Sequence, residues 1–299
     1  MYYSGGSGVD GAPNGSLAFI VTDSRGNNFD VERIFSQSDD FKIEYCIVRG
    51  ARVNELREIF LKKLDQIDIS GYFPIIVKIA VGINEFTSFA YNSRNEKELK
   101  YSGITGSDVF CKLSEFKAAI KVKVLSALVG FITVPQVSLK KYKEHCMEHK
   151  YLTNSEISDS DQDKYQKDLE KEVEILNGKI IFENCEKQTG HLKGCRTVSW
   201  HRSVCRLGKK KRGKKYQKVY KNDFRELYDG IHGTSDIKQK WFKQLIIAIR
   251  AEISYTKTET FPESDVATGS VLSEENSQSE NSDKEDSWDF KRRQLTDSD

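Results

Sequence analysis

No stretch of this 299-residue chain approaches the about 20 consecutive apolar residues that a membrane-crossing helix needs, so no span of the bilayer is expected. The opening residues, MYYSGGSGVDGAPNGS, lack the basic start and apolar core of a secretory signal; residues 1–15 read as a flexible lead. The expected location is therefore intracellular, cytoplasmic or nuclear. The six cysteines (Cys46, Cys111, Cys146, Cys185, Cys195, Cys205) include no CxxC pair, and the expected state is reduced thiols. Cys185, Cys195 and Cys205 form a ladder of ten-residue steps with His191 and His201 interspersed, whereas zinc ligands come in pairs two to four residues apart. His145 and His149 are four apart, yet the segment around them is so charged that it reads as an exposed connection. No metal and no cofactor is expected. Nor is there an internal repeat, which sets solenoids aside.

The composition, 37% apolar and 31% charged, suits a globular protein with a solvated extension. The length accommodates one domain of roughly 200–250 residues with appendages. Residues 261–299 hold eleven acidic and four basic side chains (11 − 4, hence −7), which with the net +2 leaves +9 for residues 1–260. That serine-rich end has too little apolar surface to offset the entropy of ordering it. The expected organisation is thus a lead over 1–15, a domain over 16–255 with a basic insertion at about 186–228, and a disordered acidic tail over 256–299. Within the insertion, RLGKKKRGKKYQKVYK (206–221) has nine basic residues of sixteen and no acid. It reads as a solvated loop, with Lys209–Lys215 a candidate contact to nucleic acid or another polyanion.

Between these flanks, near-continuous apolar runs rich in Val and Ile mark strands at 17–21, 42–48, 75–81, 124–134 and 179–185, as expected of a parallel sheet covered on both faces. Helical spacing marks 53–67, 165–176 (stopped by Asn177-Gly178) and 235–253. The alternation predicts a three-layer α/β/α sandwich around a parallel five-stranded sheet.

In such sheets ligands bind beyond the carboxyl ends of the strands. Ser24 follows the first strand, Arg49-Gly50 ends the second, and Gly82-Ile83-Asn84 ends the third. Taken alone, Asp23 or Ser24 reads better as a helix cap. Asp229 and His232, three residues apart before the final helix, complete a different set. A serine hydroxyl needs an imidazole to remove its proton, and the imidazole needs a carboxylate to hold its tautomer. The backbone N–H groups of Ser24 and Gly50 and the amide of Asn84 are candidate donors to an oxyanion.

Together these residues resemble the SGNH hydrolases, or GDSL-type esterases and lipases, over roughly residues 17–253. TDSRGNN is similar to the first block of that family with Ser24 as nucleophile, Gly50 to the second, GINE to the third through Gly82 and Asn84, and DGIH to the fifth through Asp229 and His232. SGNH-type domains of invertebrate proteins are similar too. The resemblance implies a flavodoxin-like sheet of order 2-1-3-4-5 and a metal-free serine esterase acting on carboxylic esters, acetyl or other acyl groups. The alternative is a catalytically silent SGNH-like binding module, associated with nucleic acid through its basic loop. Thr22 stands where the family has glycine, and Glu85 where aspartate is common. Arg25 is a candidate for binding a carboxylate or phosphate of the substrate, with pairing to a surface acid as the other reading. Trp200 could stack on a ligand or pack against the sheet. The oligomeric state is left open.

Overall fold

The computed structural model describes residues 15–26, 41–91, 97–149, 159–186, 198–212 and 215–260. In chain order these form β1 (Ser16–Thr22), β2 (Phe41–Ile47), α1 (Val53–Gln66), β3 (Ile75–Ala80), the one-turn α2 (Ile83–Phe86), β4 (Thr87–Tyr91) and β5 (Lys97–Tyr101). There follow α3 (Gly106–Lys123), β6 (Leu128–Phe131), α4 (Leu139–Glu148), α5 (Asp159–Glu186), β7 (Cys205–Arg212), β8 (Lys215–Asn222) and α6 (Ser235–Thr260). No described helix is long and apolar enough to cross a membrane.

The four-stranded sheet has the order β2-β1-β3-β6, and every pairing in it is parallel. All seven residues of β1 are buried, which requires cover on both faces. Leu17, Phe19 and Val21 enter one apolar cluster with Val77 and Ile79 of β3, Leu56 and Phe60 of α1, Leu113 and Phe116 of α3, and Val173 and Leu176 of α5. Ala18, Ile20, Ile76 and Ala80 enter the other, against Trp241, Leu245 and Ile249 of α6 and Trp200 before β7. The period of two along β1 thus becomes three layers. Lys78 falls among the residues that face α6, where its ammonium pairs with the equally buried Glu252 carboxylate.

This is the expected α/β sandwich and the expected start of the strand order, but the fifth strand is absent among the described residues. Residues 179–185 instead continue α5, straight through Asn177-Gly178. Asn177 is held there from outside the helix: its amide accepts from Val134 N–H at 2.7 Å and donates to Val134 C=O at 2.8 Å. Leu169, Val173, Leu176 and Ile180 are all fully buried, and their spacing is helical across the supposed stop. The basic run also departs from expectation. It is not a loop but the antiparallel hairpin β7-β8, in register from Cys205↔Asn222 to Arg212↔Lys215. The charged segment around His145 and His149 is not a mere connection either, since most of it is α4, capped by Ser138. The expected lead, apart from Gly15, and the expected acidic tail beyond residue 260 lie outside the described residues.

Helix α3 starts with a reciprocal cap between Thr105 and Asp108, and it approaches α5 very closely at its first residue. A Cβ on Gly106 would lie 2.3 Å from the Glu172 carbonyl oxygen and 2.8 Å from Leu176 N, both backbone atoms that cannot swing aside. Intrinsic helix propensity favours alanine over glycine by about 1 kcal/mol, but overpacking costs about 1–3 kcal/mol and should win. Gly106→Ala is therefore expected to lower the urea midpoint of unfolding, and Gly106→Val to lower it further; an unchanged or raised midpoint would show that the helices part at no cost.

Candidate active site

The carboxyl edge of the sheet gathers three loops. After β1 the chain turns through a short 3-10 segment, Ser24–Gly26, closed by a Gly26 N–H to Asp23 C=O bond of 3.0 Å. Asp23 and Arg25 are both fully buried here and bind bidentately, Nε to Oδ1 at 2.8 Å and Nη2 to Oδ2 at 2.6 Å. Such a fork restricts the backbone on either side of Ser24. Thr22 adds a second restraint, donating its hydroxyl to Ala80 C=O at 2.9 Å and so fastening β1 to β3 at their carboxyl ends.

The second and third loops are locked to each other. Gly50 has φ +71°, in the left-handed region that favours glycine. Asn84 donates one amide N–H to Ala51 C=O at 3.0 Å, which leaves its other N–H available. Glu85, buried, accepts from Val53 N–H at 3.0 Å, where its charge suits the first turn of α1, and it pairs with Lys112 at 2.8 Å. GINE therefore fixes the path of Arg49–Val53 through two consecutive side chains.

The last loop carries the imidazole. Asp229 Oδ1 accepts the backbone N–H groups of Ile231 (2.9 Å) and His232 (2.6 Å), and Oδ2 faces His232 Nδ1 at 2.6 Å. Burial disfavours the charge on Asp229, but these hydrogen bonds and the adjoining imidazole outweigh it and hold the carboxyl below its ordinary range. The loop is closed by Tyr228 N–H to His232 C=O at 3.0 Å, and the Tyr228 ring stacks on the imidazole at 5.8 Å. His232 Nε2 then meets Ser24 Oγ at 2.9 Å, across 208 positions of sequence. With the Nδ1 proton directed to Asp229, Nε2 offers its lone pair to the serine hydroxyl.

Ser24, Gly50, Asn84 and His232 line one cleft of about 830 Å3, together with Phe89, Tyr142, Tyr228, Ile231 and two cations, Arg49 and Lys238. The structure thus brings together Ser24, His232, Asp229, Gly50 and Asn84. Arg25 is not with them: it is 1% exposed, bound to Asp23, and does not line the cleft, so neither a substrate contact nor a surface ion pair describes it. Trp200 is buried and stacks on Trp241 at 5.0 Å rather than facing a ligand. Arg49, read from the sequence only as the end of the second strand, and Lys238, not singled out there, had one available signal for the cleft, namely their adjacency to Gly50 and to the start of the last helix.

At the end of α4, His145, Glu148 and His149 bring one ligand atom each within 4.8 Å of one another, a donor set suited to a borderline cation such as zinc. The cysteine ladder does not assemble in this way among the described residues: Cys205 Sγ lies 3.3 Å from His201 C=O, and His191 and Cys195 lie outside them.

No family model matches the chain, and no curated protein matches it. Among solved structures, a member of the lipolytic protein G-D-S-L family from Veillonella parvula is similar at 10% identity and a TM-score of 0.46, with 78% of this chain and 97% of that one covered. A lipase/acylhydrolase from Enterococcus faecalis is similar at 10% identity and 0.33 (79% and 95% covered). A Streptococcus pneumonia structure whose name refers to platelet activating factor is similar at 14% and 0.40 (78% and 83% covered).

Away from the cleft, His201 Nδ1 lies 2.8 Å from Thr133 Oγ1, whose own hydrogen goes to Val198 C=O, so the imidazole donates. Burial, with Arg202 beside it, pushes its pKa from the ordinary 6.5 down to about 4. The folded chain therefore keeps this ring neutral where the unfolded chain protonates it, and the unfolded state binds more protons between about pH 4 and 6.5. Its contribution is complete above pH 6.5 and is lost as the pH falls through that window. Thermal melts should show Tm declining from pH 6.5 to 4.5, and His201→Gln should flatten part of that decline; an identical slope in the variant would remove His201 as its source.

Proposed function

We propose that the chain is a serine hydrolase of carboxylic esters. The observation that carries this reading is the hydrogen-bonded series Ser24, His232, Asp229 with the hydroxyl opening into the cleft. Ser24 Oγ attacks the ester carbonyl while His232 Nε2 takes its proton, and Asp229 stabilises the imidazolium. The tetrahedral oxyanion is met by the N–H groups of Ser24 and Gly50, neither of which donates to another group among the described residues, and by the second N–H of Asn84. Collapse expels the alcohol, protonated by His232, and leaves an acyl group on Ser24. Water, deprotonated by the same imidazole, then releases the acid and restores the hydroxyl.

Ser24 should be labelled by a fluorophosphonate probe, with labelling lost in Ser24→Ala. Asp229→Asn should lower kcat by about 10,000-fold at unchanged fold. A well-folded wild-type chain that neither labels nor turns over short acyl esters would defeat the proposal.

A second activity is favoured by the basic hairpin, whose register sets Arg206 opposite Lys221, Lys209 opposite Lys218, and Arg212 opposite Lys215. Like charges across an antiparallel pair are destabilising, and a polyanion laid along it relieves them. We infer that the hairpin contacts nucleic acid or another polyanion. Binding of a fluorescent oligonucleotide should weaken steeply with salt and vanish when Lys209–Lys215 are neutralised; salt-insensitive binding, or none, would dismiss this reading.

A further inference from the structure

Among the described residues, the charged side chains that line the cleft apart from His232 are Arg49, two residues past β2, and Lys238, from the first turn of α6, and no described Asp or Glu lines it. Neither cation makes an ion pair with any described residue. Asp229 acts on Lys238 only through space, because its Oδ1 is taken by two backbone N–H groups and its Oδ2 by His232. Burial depresses the Lys238 pKa, as expected for an ammonium withdrawn from water without a counter-ion. Arg49 is exposed at the rim and close enough to Tyr228 to act on its phenol. The rings of Phe89, Tyr142 and Tyr228 line the same cleft. Elsewhere this chain neutralises the cations it buries: Arg25 has Asp23 and Lys78 has Glu252. Arg49 and Lys238 have no such partner among the described residues.

We propose that Arg49 and Lys238 form an anion subsite, and that the cleft selects esters with an apolar body and a carboxylate or phosphate beside the reacting bond. The position of that bond, at Ser24 Oγ, rests on the esterase reading. The guanidinium offers a planar fork and the ammonium a compact charge, so a carboxylate or phosphate oxygen can be held from two sides. Hydrogen bonds to charged groups contribute about 1.5–3 kcal/mol, which corresponds to roughly a tenfold to hundredfold preference over a neutral ester of the same shape.

The test uses two matched pairs of esters. One pair is the hemisuccinate and the pentanoate of a single alcohol; the other is an acetate whose alcohol does or does not carry a phosphate. Dissociation constants are measured by calorimetry on full-length Ser24→Ala, which leaves the esters intact. In at least one pair the anionic member should bind tenfold tighter or more. That ratio should shrink in 0.5 M NaCl, fall towards unity in Ser24→Ala/Arg49→Gln and Ser24→Ala/Lys238→Gln, and persist in Ser24→Ala/Arg49→Lys. Equal affinities within both pairs, a ratio untouched by either Gln variant, or no measurable binding of either anionic ester overturns the subsite. Turnover by the wild-type chain is read separately. Neutral-ester hydrolysis without anion preference sinks the subsite alone, whereas anion-selective binding without any turnover sinks the esterase and leaves an anion-binding cleft.

Discussion

A strand buried along its whole length must be covered on both sides, and β1 imposes that condition on the rest of the chain. Its alternation divides the apolar residues into two clusters, with α1, α3 and α5 on one and α6 on the other. Polar groups are then confined to places where the sheet supplies partners. Lys78 survives in the middle of β3 because Glu252 reaches it from α6. Thr22 survives at the carboxyl end because β3 offers it a carbonyl. Beyond that edge the covering helices have not yet closed over the strands, so this is where uncommitted polar side chains can collect.

What collects there is held mainly by main-chain amides. One carboxylate, Asp229, organises its own loop by accepting two successive N–H groups at Oδ1, and its other oxygen orients the ring of His232. Asn84 and Glu85 do the corresponding work for the Gly50 loop by binding a carbonyl and an amide on either side of Arg52. Because each loop is already fixed by its own hydrogen bonds, the meeting of serine and imidazole has little freedom left to lose. Preorganisation of this kind would let a hydroxyl and two backbone donors act without rearrangement in the proposed reaction.

The strands of the parallel sheet were legible because continuous Val and Ile runs flanked by polar turns have few other readings; β1 and β3 lie within a residue or so of where the pattern puts them. The gathering of Ser24, Gly50 and Asn84 was legible for a related reason, since short polar strings at the carboxyl ends of parallel strands must share an edge, whereas Asp229 and His232, which follow no strand of that sheet, were legible through their residue types and the resemblance to the SGNH hydrolases. The misreadings all come from tertiary override of local signals. Asn177-Gly178 spells a helix stop, but bonds from Asn177 to Val134 compensate for it and α5 runs on. A run of lysines spells a loop, and cross-strand pairing that no periodicity reveals turns it into a hairpin. Arg25 looks like a ligand group because nothing local announces that the preceding Asp23 takes both ends of its fork.

The fate of the acids explains the character of the cleft. Asp23 is spent on Arg25, Glu85 on Val53 N–H and Lys112, and Asp229 on its own loop and His232. These three carboxylates are thus committed to geometry, each bound to a partner on the protein. The cations Arg49 and Lys238 have no such assignment and remain along the walls. A cleft built this way carries a positive field over the site where the proposed ester hydrolysis would develop negative charge on an oxygen. The same residues that would draw an anionic ester inward would therefore also favour the tetrahedral intermediate over the neutral carbonyl from which it forms.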